Sequence, residues 1–322
     1  MRTEEVGDLV ARARDGESRA VARLVSMVED GSPQLREVMA ALVPYAGHAQ
    51  VVGITGSPGV GKSTATNAMV AELRRSGQRV GVLAVDPSSP FSGGALLGDR
   101  VRMQDHATDP GVYIRSMASR GHLGGLSWTT PQALRVLDAA GCDVVIVETV
   151  GVGQSEVEIA GLADTTVVLM APGLGDGIQA AKAGILEIGD VYVVNKADRD
   201  GAEQVRRELR STVALGDRPD GGWKPPIVMA VAQSGRGVDE LVKELDRHWA
   251  WLEETGELAR RRTRRAREEI EAIAVAALRD RWEKVSGTLQ SGGDLDALAE
   301  AVVAGEKDPY AAADELVATA SS

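Results

Sequence analysis

The sequence contains one cysteine, no long run of uncharged apolar residues and only four histidines. The single thiol, Cys142, excludes an internal disulfide and a multi-cysteine metal site, and its place just before an apolar run indicates a buried side chain. No segment approaches the roughly 18 uncharged apolar residues that a membrane-spanning helix needs. The first residues, MRTEEVGDLV, lack the basic-then-apolar pattern of a signal peptide. We therefore expect a cytoplasmic protein with no membrane segment.

Positive charge is also scarce, because 36 Lys and Arg residues against 47 Asp and Glu residues give a formal net charge of −11. Such a chain repels nucleic acids and anionic lipids overall, so we expect neither as a partner. The exception is the run RRRTRRAR, from Arg260 to Arg267, which holds six arginines. Since EEIE follows at once and apolar residues continue at helical spacing, we interpret this run as the solvated or partner-facing side of a helix.

Apolar residues make up 43% of the 322 residues, enough for a large core. Residues 1–48 repeat them at three- and four-residue spacing, which predicts a helical N-terminal extension. Within it, Gly31 is predicted to end one helix and Ser32 with Pro33 to open the next. Residues 49–250 form the predicted central domain. Residues 251–322 are predicted to form a helical C-terminal arm, set off by Gly256.

The central domain alternates short apolar runs with stretches of helix length. The runs cover residues 50–55, 79–86, 112–117, 143–149, 165–171, 190–195 and 226–231. They are rich in Val and Ile and often uninterrupted by polar residues, as in strands covered on both faces. This predicts an α/β fold with a mostly parallel central sheet flanked by helices. Ligands of such sheets bind at the carboxyl ends of the strands.

The stretch GSPGVGKS, residues 56–63, lies between the first apolar run and a helical stretch, as a P-loop requires. Glycines let backbone N–H groups turn toward phosphate oxygens at the N-terminus of a helix. We expect Lys62 to reach the β- and γ-phosphates and Ser63 to bind Mg²⁺. The predicted phosphate-binding residues are Gly56, Ser57, Pro58, Gly59, Val60, Gly61, Lys62, Ser63 and Thr64.

The sequence Asn195, Lys196, Ala197, Asp198 follows the apolar run VYVV and matches the N-K-x-D pattern of guanine-specific GTPases. A carboxylate accepts hydrogen bonds from N1–H and the exocyclic amine of guanine, and adenine has no such donor pair on that edge. Asp198 therefore predicts GTP and GDP as ligands, with Asn195 holding loops together and Lys196 packing along the base. After the last run, the backbone N–H of Ala232, beside Gln233, is predicted to meet guanine O6.

Acidic residues follow two other runs. Asp86 and Glu148 end the second and fourth runs, and Asp99 lies between them, so we expect these carboxylates to hold Mg²⁺ directly or through water. Glu148 to Gly151 resembles the D-x-x-G switch with Glu in place of Asp. Val152 stands where Ras-like proteins carry the glutamine that orients the attacking water. We therefore expect slow hydrolysis that needs another group.

Our candidates for that group lie in glycine-containing segments on either side of the fourth run. They are Asp176, Lys182, Arg102, Arg120 and His122. The predicted catalytic residues as a set are Lys62, Glu148, Asp99 and Lys182.

The strings DPSSP, GDRVRM, SRGHLGGLS, ETVGVGQSE and NKAD together resemble the MeaB/ArgK family of SIMIBI-class P-loop GTPases. The resemblance covers nearly the whole chain, including both helical extensions. It implies a GTPase chaperone of adenosylcobalamin-dependent methylmalonyl-CoA mutase, or of a related acyl-CoA mutase, that gates cofactor loading and protects the mutase. It also implies a homodimer through the C-terminal arm and a third switch in residues 172–182. Gly177 departs from the acidic residue usual there, and Val231 departs from the serine usual at the base loop.

Two other functions stay open at this level. One is a kinase that transfers the γ-phosphate to a protein or a small molecule, an assignment attached to some ArgK relatives. The other is a metallochaperone GTPase of the same superfamily. Four scattered histidines and one cysteine argue against metal delivery.

Overall fold

The computed structural model describes residues 5–87, 104–106, 108–119, 129–149, 155–173, 185–215, 221–289 and 294–320. The chain divides into two compact units, Met1–Arg262 and Thr263–Ser322. The functional division predicted at residues 48 and 250 stays a prediction.

The first unit is built on a seven-stranded sheet in which every paired neighbour is parallel. The strands are β1 Gln50–Thr55, β2 Val80–Pro87, β3 Val112–Ser119, β4 Val144–Thr149, β5 Thr165–Met170, β6 Val191–Val194 and β7 Ile227–Met229. Their order across the sheet is β3-β2-β4-β1-β5-β6-β7. Each strand lies within a predicted run or extends it by no more than a few residues, so the predicted fold class is confirmed.

Eleven helices surround or follow the sheet in the described residues. They are α1 Val6–Arg14, α2 Ser18–Glu29, α3 Leu35–Leu42, α4 Lys62–Arg75, α5 Thr130–Ala139, α6 Ser155–Leu162, α7 Ala202–Leu215, α8 Val238–Glu254, α9 Glu257–Leu289, α10 Asp294–Val303 and α11 Pro309–Ala320. Short 3₁₀ turns lie at Val43–Tyr45, Gln104–His106 and Ile185–Glu187.

Alternating side chains of the buried strands fill the two faces of the sheet. In β4, Val145 and Val147 join the cluster formed with the N-terminal helices, α5 and α6. Val144 and Ile146 join the opposite cluster, formed with α4 and α8. Because successive strand residues point to opposite faces, both must be apolar when helices cover both. This explains why the runs are uninterrupted.

The N-terminal extension is helical, as predicted, but its third helix begins later than the Ser32–Pro33 pair indicated. Ser32 Oγ accepts a hydrogen bond from the N–H of Gln34 at 3.3 Å. The Ser32 carbonyl oxygen accepts one from the N–H of Leu35 at 2.9 Å. These bonds form a turn, so the first helical residue is Leu35.

The predicted break at Gly256 is present, with a backbone φ of +70° between α8 and α9. In the second unit, taken by itself, the described residues form the greater part of α9 followed by α10 and α11. Among the residues that the structure describes, no helix has the length and apolar character needed to cross a membrane.

Candidate nucleotide site

The loop between β1 and α4 has the backbone geometry of a phosphate cradle. Gly56, Gly59 and Gly61 have φ values of +141°, +80° and +97°. A Cβ on Gly56 would lie 2.2 Å from the Leu169 carbonyl oxygen, and one on Gly61 would lie 2.6 Å from Asn195 Nδ2. These two positions therefore need glycine both for conformation and for space.

Lys62 is the first residue of α4, and its side chain turns back over the loop. Its Nζ donates to the carbonyl oxygens of Gly56 at 2.6 Å and Ser57 at 3.2 Å. The ammonium group is buried at the helix N-terminus, where backbone N–H groups also favour an anion. The loop thus concentrates positive potential where the sequence predicts phosphate.

Glu148 in β4 lies beside the start of α4, because β4 pairs with β1 and Glu148 is in register with Ile54. Its side chain accepts two hydroxyl groups from α4. Ser63 Oγ donates to Oε1 at 2.5 Å, and Thr66 Oγ1 donates to Oε2 at 2.8 Å. The residue is only 4% exposed, so the carboxylate is held in one orientation. Sequence reasoning predicted Ser63 and Glu148 but missed Thr66.

Asn195, at the end of β6, joins two loops. Its Nδ2 donates to the Val60 carbonyl at 2.9 Å, and its Oδ1 accepts the Ala232 N–H at 3.0 Å. Lys196 adds a bond from Nζ to the Gly59 carbonyl at 2.6 Å and has a φ of +56°. The phosphate loop and the predicted base loops therefore form one hydrogen-bonded assembly, as the role predicted for Asn195 requires.

Asp198 lies in the turn after Lys196 and is exposed. The N–H of Ala232, predicted to meet guanine O6, instead donates to Asn195. Its role at guanine O6 stays a prediction. The next N–H, that of Gln233, makes no hydrogen bond within the described part of the chain. Gln233, which follows Ala232 in the loop after β7, is also exposed.

The backbone places Asp86 next to last in β2, a strand that pairs with β4 so that Ala84 is in register with Glu148. Asp86 thus lies at the same edge of the sheet as the phosphate loop. The predicted Asp99 and Lys182 lie outside the described residues. So do the alternatives Asp176, Arg102, Arg120 and His122, together with Gly177 and Val152.

A network of charged residues lies at the amino ends of β5 and β6, opposite the nucleotide site. The sequence did not predict it. Arg261, in the first turns of α9, makes two bonds of 2.9 Å to the Asp190 carboxylate, and Arg262 contacts both oxygens of Asp164 at 3.2 and 2.9 Å. The interpretation of the arginine run as the solvated or partner-facing side of a helix is therefore wrong for Arg261 and Arg262, which bind this chain's own carboxylates. They bind carboxylates that stand just before β6 and β5.

His248 of α8 borders this network. Its Nδ1 lies 2.9 Å from Thr165 Oγ1, and its Nε2 lies 3.4 Å from Asp190 Oδ1. Burial lowers the pKa of His248 to about 4, against the opposing effect of Asp190, so the ring is neutral at pH 7. Cys142, buried as predicted, has a thiol pKa that burial raises to about 12.

The sequence of residues 21–286 matches the family described as methylmalonyl Co-A mutase-associated GTPase MeaB. The chain belongs to this family. A homologue from Pyrococcus horikoshii that is named as a GTPase is 48% identical over 315 residues, which make up 97% of each chain. GTPase ArgK of Escherichia coli is 40% identical over 243 residues, or 73% of each chain.

Among solved structures, one described as a LAO/AO transport system kinase superposes on this MeaB-family chain with a TM-score of 0.74 and 27% identity. The superposition covers 100% of this chain and 99% of that one. The predicted GTPase of the MeaB/ArgK family is thus confirmed, and with it a guanine nucleotide as ligand.

Proposed function

We propose that this MeaB-family GTPase is a chaperone for an adenosylcobalamin-dependent acyl-CoA mutase, in the first place methylmalonyl-CoA mutase. In this role, GTP binding and hydrolysis gate cofactor loading and protect the mutase. The observation that carries the proposal is the family match over residues 21–286, which includes the nucleotide site and part of α9.

In the proposed complex, the phosphates of GTP lie in the loop from Gly56 to Thr64, against the Lys62 ammonium group. Guanine lies over Lys196, with the Asp198 carboxylate accepting from N1–H and the amine. The backbone N–H of Gln233 is our preferred donor to O6, because the N–H of Ala232 already donates a hydrogen bond to Asn195 Oδ1 at 3.0 Å. Ala232 then shapes the base pocket through that bond.

The residues present also fit Mg²⁺. A hydroxyl and a carboxylate oxygen, Ser63 Oγ and Glu148 Oε1, lie 2.5 Å apart beside the phosphate loop, and oxygen ligands are the ones that Mg²⁺ prefers. Asp86 is at the same edge of the sheet, and Asp99 completes the proposed set. When bound, the ion neutralises charge that develops on the transferred phosphoryl group. Lys62 supplies a second positive charge there.

The position of Val152 supports slow intrinsic hydrolysis, because valine cannot orient a water molecule by hydrogen bonding. We propose that a further group, foremost Lys182, or a surface of the mutase completes the catalytic site. Hydrolysis would then depend on the partner, as a gating function requires.

We further propose a homodimer formed through the C-terminal arm. In α9, Ile270 and Leu278 expose 68% and 63% of their surfaces, and Ile273 exposes 41%. Ile273 lies three residues after Ile270 and Leu278 lies eight residues after it, so each is within about 80° of Ile270 around the helix. An exposed apolar stripe of this kind is typical of a helix that pairs with a partner. A cytoplasmic location and the absence of nucleic-acid and membrane partners belong to the same proposal.

A pull-down from the source cell tests the chaperone function. The full chain is immobilised with GDP or with a non-hydrolysable GTP analogue, and bound proteins are identified by mass spectrometry. We expect a cobalamin-dependent mutase whose recovery depends on the nucleotide. Lys62→Ala, which removes the ammonium group from the phosphate loop, is the control in which the recovery should lose its dependence on the nucleotide. Equal absence of the mutase in both nucleotide states would contradict the proposal.

A kinase is the second candidate function, because the superposed structure is described as a LAO/AO transport system kinase. Incubation with GTP labelled on the γ-phosphate separates the two functions. Free labelled phosphate supports the GTPase chaperone, whereas label transferred to a protein or small molecule supports a kinase.

A further inference from the structure

Thr66 is a buried hydroxyl residue in the second turn of α4, and no motif in the sequence draws attention to it. It is fully inaccessible to solvent. Its Oγ1 lies 2.8 Å from Glu148 Oε2 and 3.1 Å from the Lys62 carbonyl oxygen. Two acceptors therefore compete for the single hydroxyl proton.

The carboxylate is the stronger acceptor. A hydrogen bond to an ionised group is shorter and stronger than one to a neutral carbonyl, in agreement with the two distances. Ser63 and Thr66 are three residues apart and face the same side of α4. Each of the two carboxylate oxygens of Glu148 thus accepts one hydroxyl from that side, Oε1 from Ser63 at 2.5 Å and Oε2 from Thr66 at 2.8 Å.

We propose that Thr66 is a positioning residue for the divalent cation of this site. By holding Oε2, it fixes the rotation of the Glu148 carboxylate and keeps Oε1 directed at Ser63 Oγ. Thr66 itself touches neither nucleotide nor cation. This inference rests on the proposed Mg²⁺-dependent binding of guanine nucleotide, in which Ser63 and Glu148 hold the ion.

The test compares the full chain with Thr66→Val, which keeps the shape without the hydroxyl, and with Thr66→Ser, which keeps the hydroxyl. The affinity for a fluorescent GDP analogue is measured across a Mg²⁺ titration and again in EDTA. Removal of a group that orients a metal ligand costs about 10- to 100-fold in metal affinity. We expect Thr66→Val to need about 10- to 100-fold more Mg²⁺ for half-maximal effect, and Thr66→Ser to stay within about 3-fold of the wild type.

Affinity for the GDP analogue in EDTA should be the same in all three proteins, because Thr66 does not contact the nucleotide. Thr212→Val is the matched control, since Thr212 Oγ1 donates to the carbonyl of Glu208, four residues earlier in α7, at 3.1 Å and lies away from Glu148. It should leave the Mg²⁺ dependence unchanged. If Thr66→Val does not fold, as judged by circular dichroism, Thr66→Ala takes its place.

An unchanged Mg²⁺ dependence in the hydroxyl-free variant would overturn the role of Thr66 while leaving the nucleotide site intact. A loss that Thr66→Ser does not restore would also overturn it, because the methyl group rather than the hydroxyl would then matter. A wild-type chain that binds the GDP analogue without any response to Mg²⁺ would overturn the proposed cation site and this inference together.

Discussion

Replacing Arg262 by alanine tests whether the charged network opposite the nucleotide site stabilises the fold. The Asp164 side chain is 0% exposed, and the Arg262 side chain is 22% exposed. The guanidinium group contacts both carboxylate oxygens of Asp164 and also donates to the carbonyl oxygens of Gly47 at 2.5 Å and Ala49 at 2.8 Å. Its removal deletes this ion pair from a buried carboxylate that keeps the hydrogen bond from the Val51 N–H at 3.0 Å.

Removing one partner of a buried ion pair costs about 3–5 kcal/mol, because the remaining charge is left desolvated. Since Arg262 is partly open to water, we expect the lower end, about 3 kcal/mol. The assay is urea unfolding followed by tryptophan fluorescence. Trp249 lies against the Arg262 guanidinium, 5.4 Å from ring centroid to Cζ, so it reports on this region. The midpoint should fall with an unchanged m-value.

Arg260→Ala is the control, because Arg260 is the adjacent arginine but its side chain is 63% exposed in a pair with Glu257. An exposed pair contributes about 0–1 kcal/mol. Equal destabilisation by the two variants, or a loss below about 1 kcal/mol for Arg262→Ala, would refute the argument that burial of Asp164 sets the magnitude.

Three further predictions concern the base site, the dimer and acid stability. Asp198→Asn should weaken GTP binding at least about 100-fold and favour xanthosine nucleotide, because two charge-assisted hydrogen bonds are lost; an unchanged GTP preference in a competition assay would contradict the assignment. Ile270→Asp with Leu278→Asp should give a monomer in light scattering. Ala272→Asp should not, because residues two apart point to opposite sides of a helix and Ala272 therefore lies away from Ile270. A persistent dimer in the double variant would show that another surface holds it. Burial depresses the pKa of His248 from its ordinary value of 6.5 to about 4, so the unfolded state binds this proton first and stability from this group is lost as pH falls from about 6.5 to about 4. His248→Gln should flatten that part of a stability-against-pH curve, and an unchanged slope would exclude this group as the cause.

The sheet could be predicted from the sequence because the signal for each strand is local. In β4 the first four residues, Val144 to Val147, are apolar at successive positions, as in a strand covered on both faces. The signals of the P-loop and of the Asn195–Asp198 stretch are local as well, since the residues that define each motif are adjacent in the sequence. Both lie at carboxyl ends of strands, where the parallel topology places them together.

Contacts between distant residues could not be predicted in the same way. Thr66 is bonded to Glu148, 82 positions away, and its neighbours in the sequence give no sign of it. Arg261 and Arg262 stand in a run of six arginines, and arginine is so often solvated that such a run indicates surface. Their partners Asp164 and Asp190 are ordinary single acids in the sequence. Arg261 and Arg262 meet Asp190 and Asp164 only because β5 and β6 pair in the sheet, and no local sequence pattern records that pairing.

The network and the base site are joined by one short strand. β6 has four residues, Val191–Val194, all buried, with Asp190 before it and Asn195 after it. Arg261 binds Asp190, and Asn195 binds the phosphate loop and the Ala232 loop. Because β6 is buried and hydrogen-bonded to β5 on one side and β7 on the other, the start of α9 and the loops after β6 and β7 contact the same closely packed element. The ion pair of Arg261 and the predicted base site are therefore attached to opposite ends of the same four-residue strand.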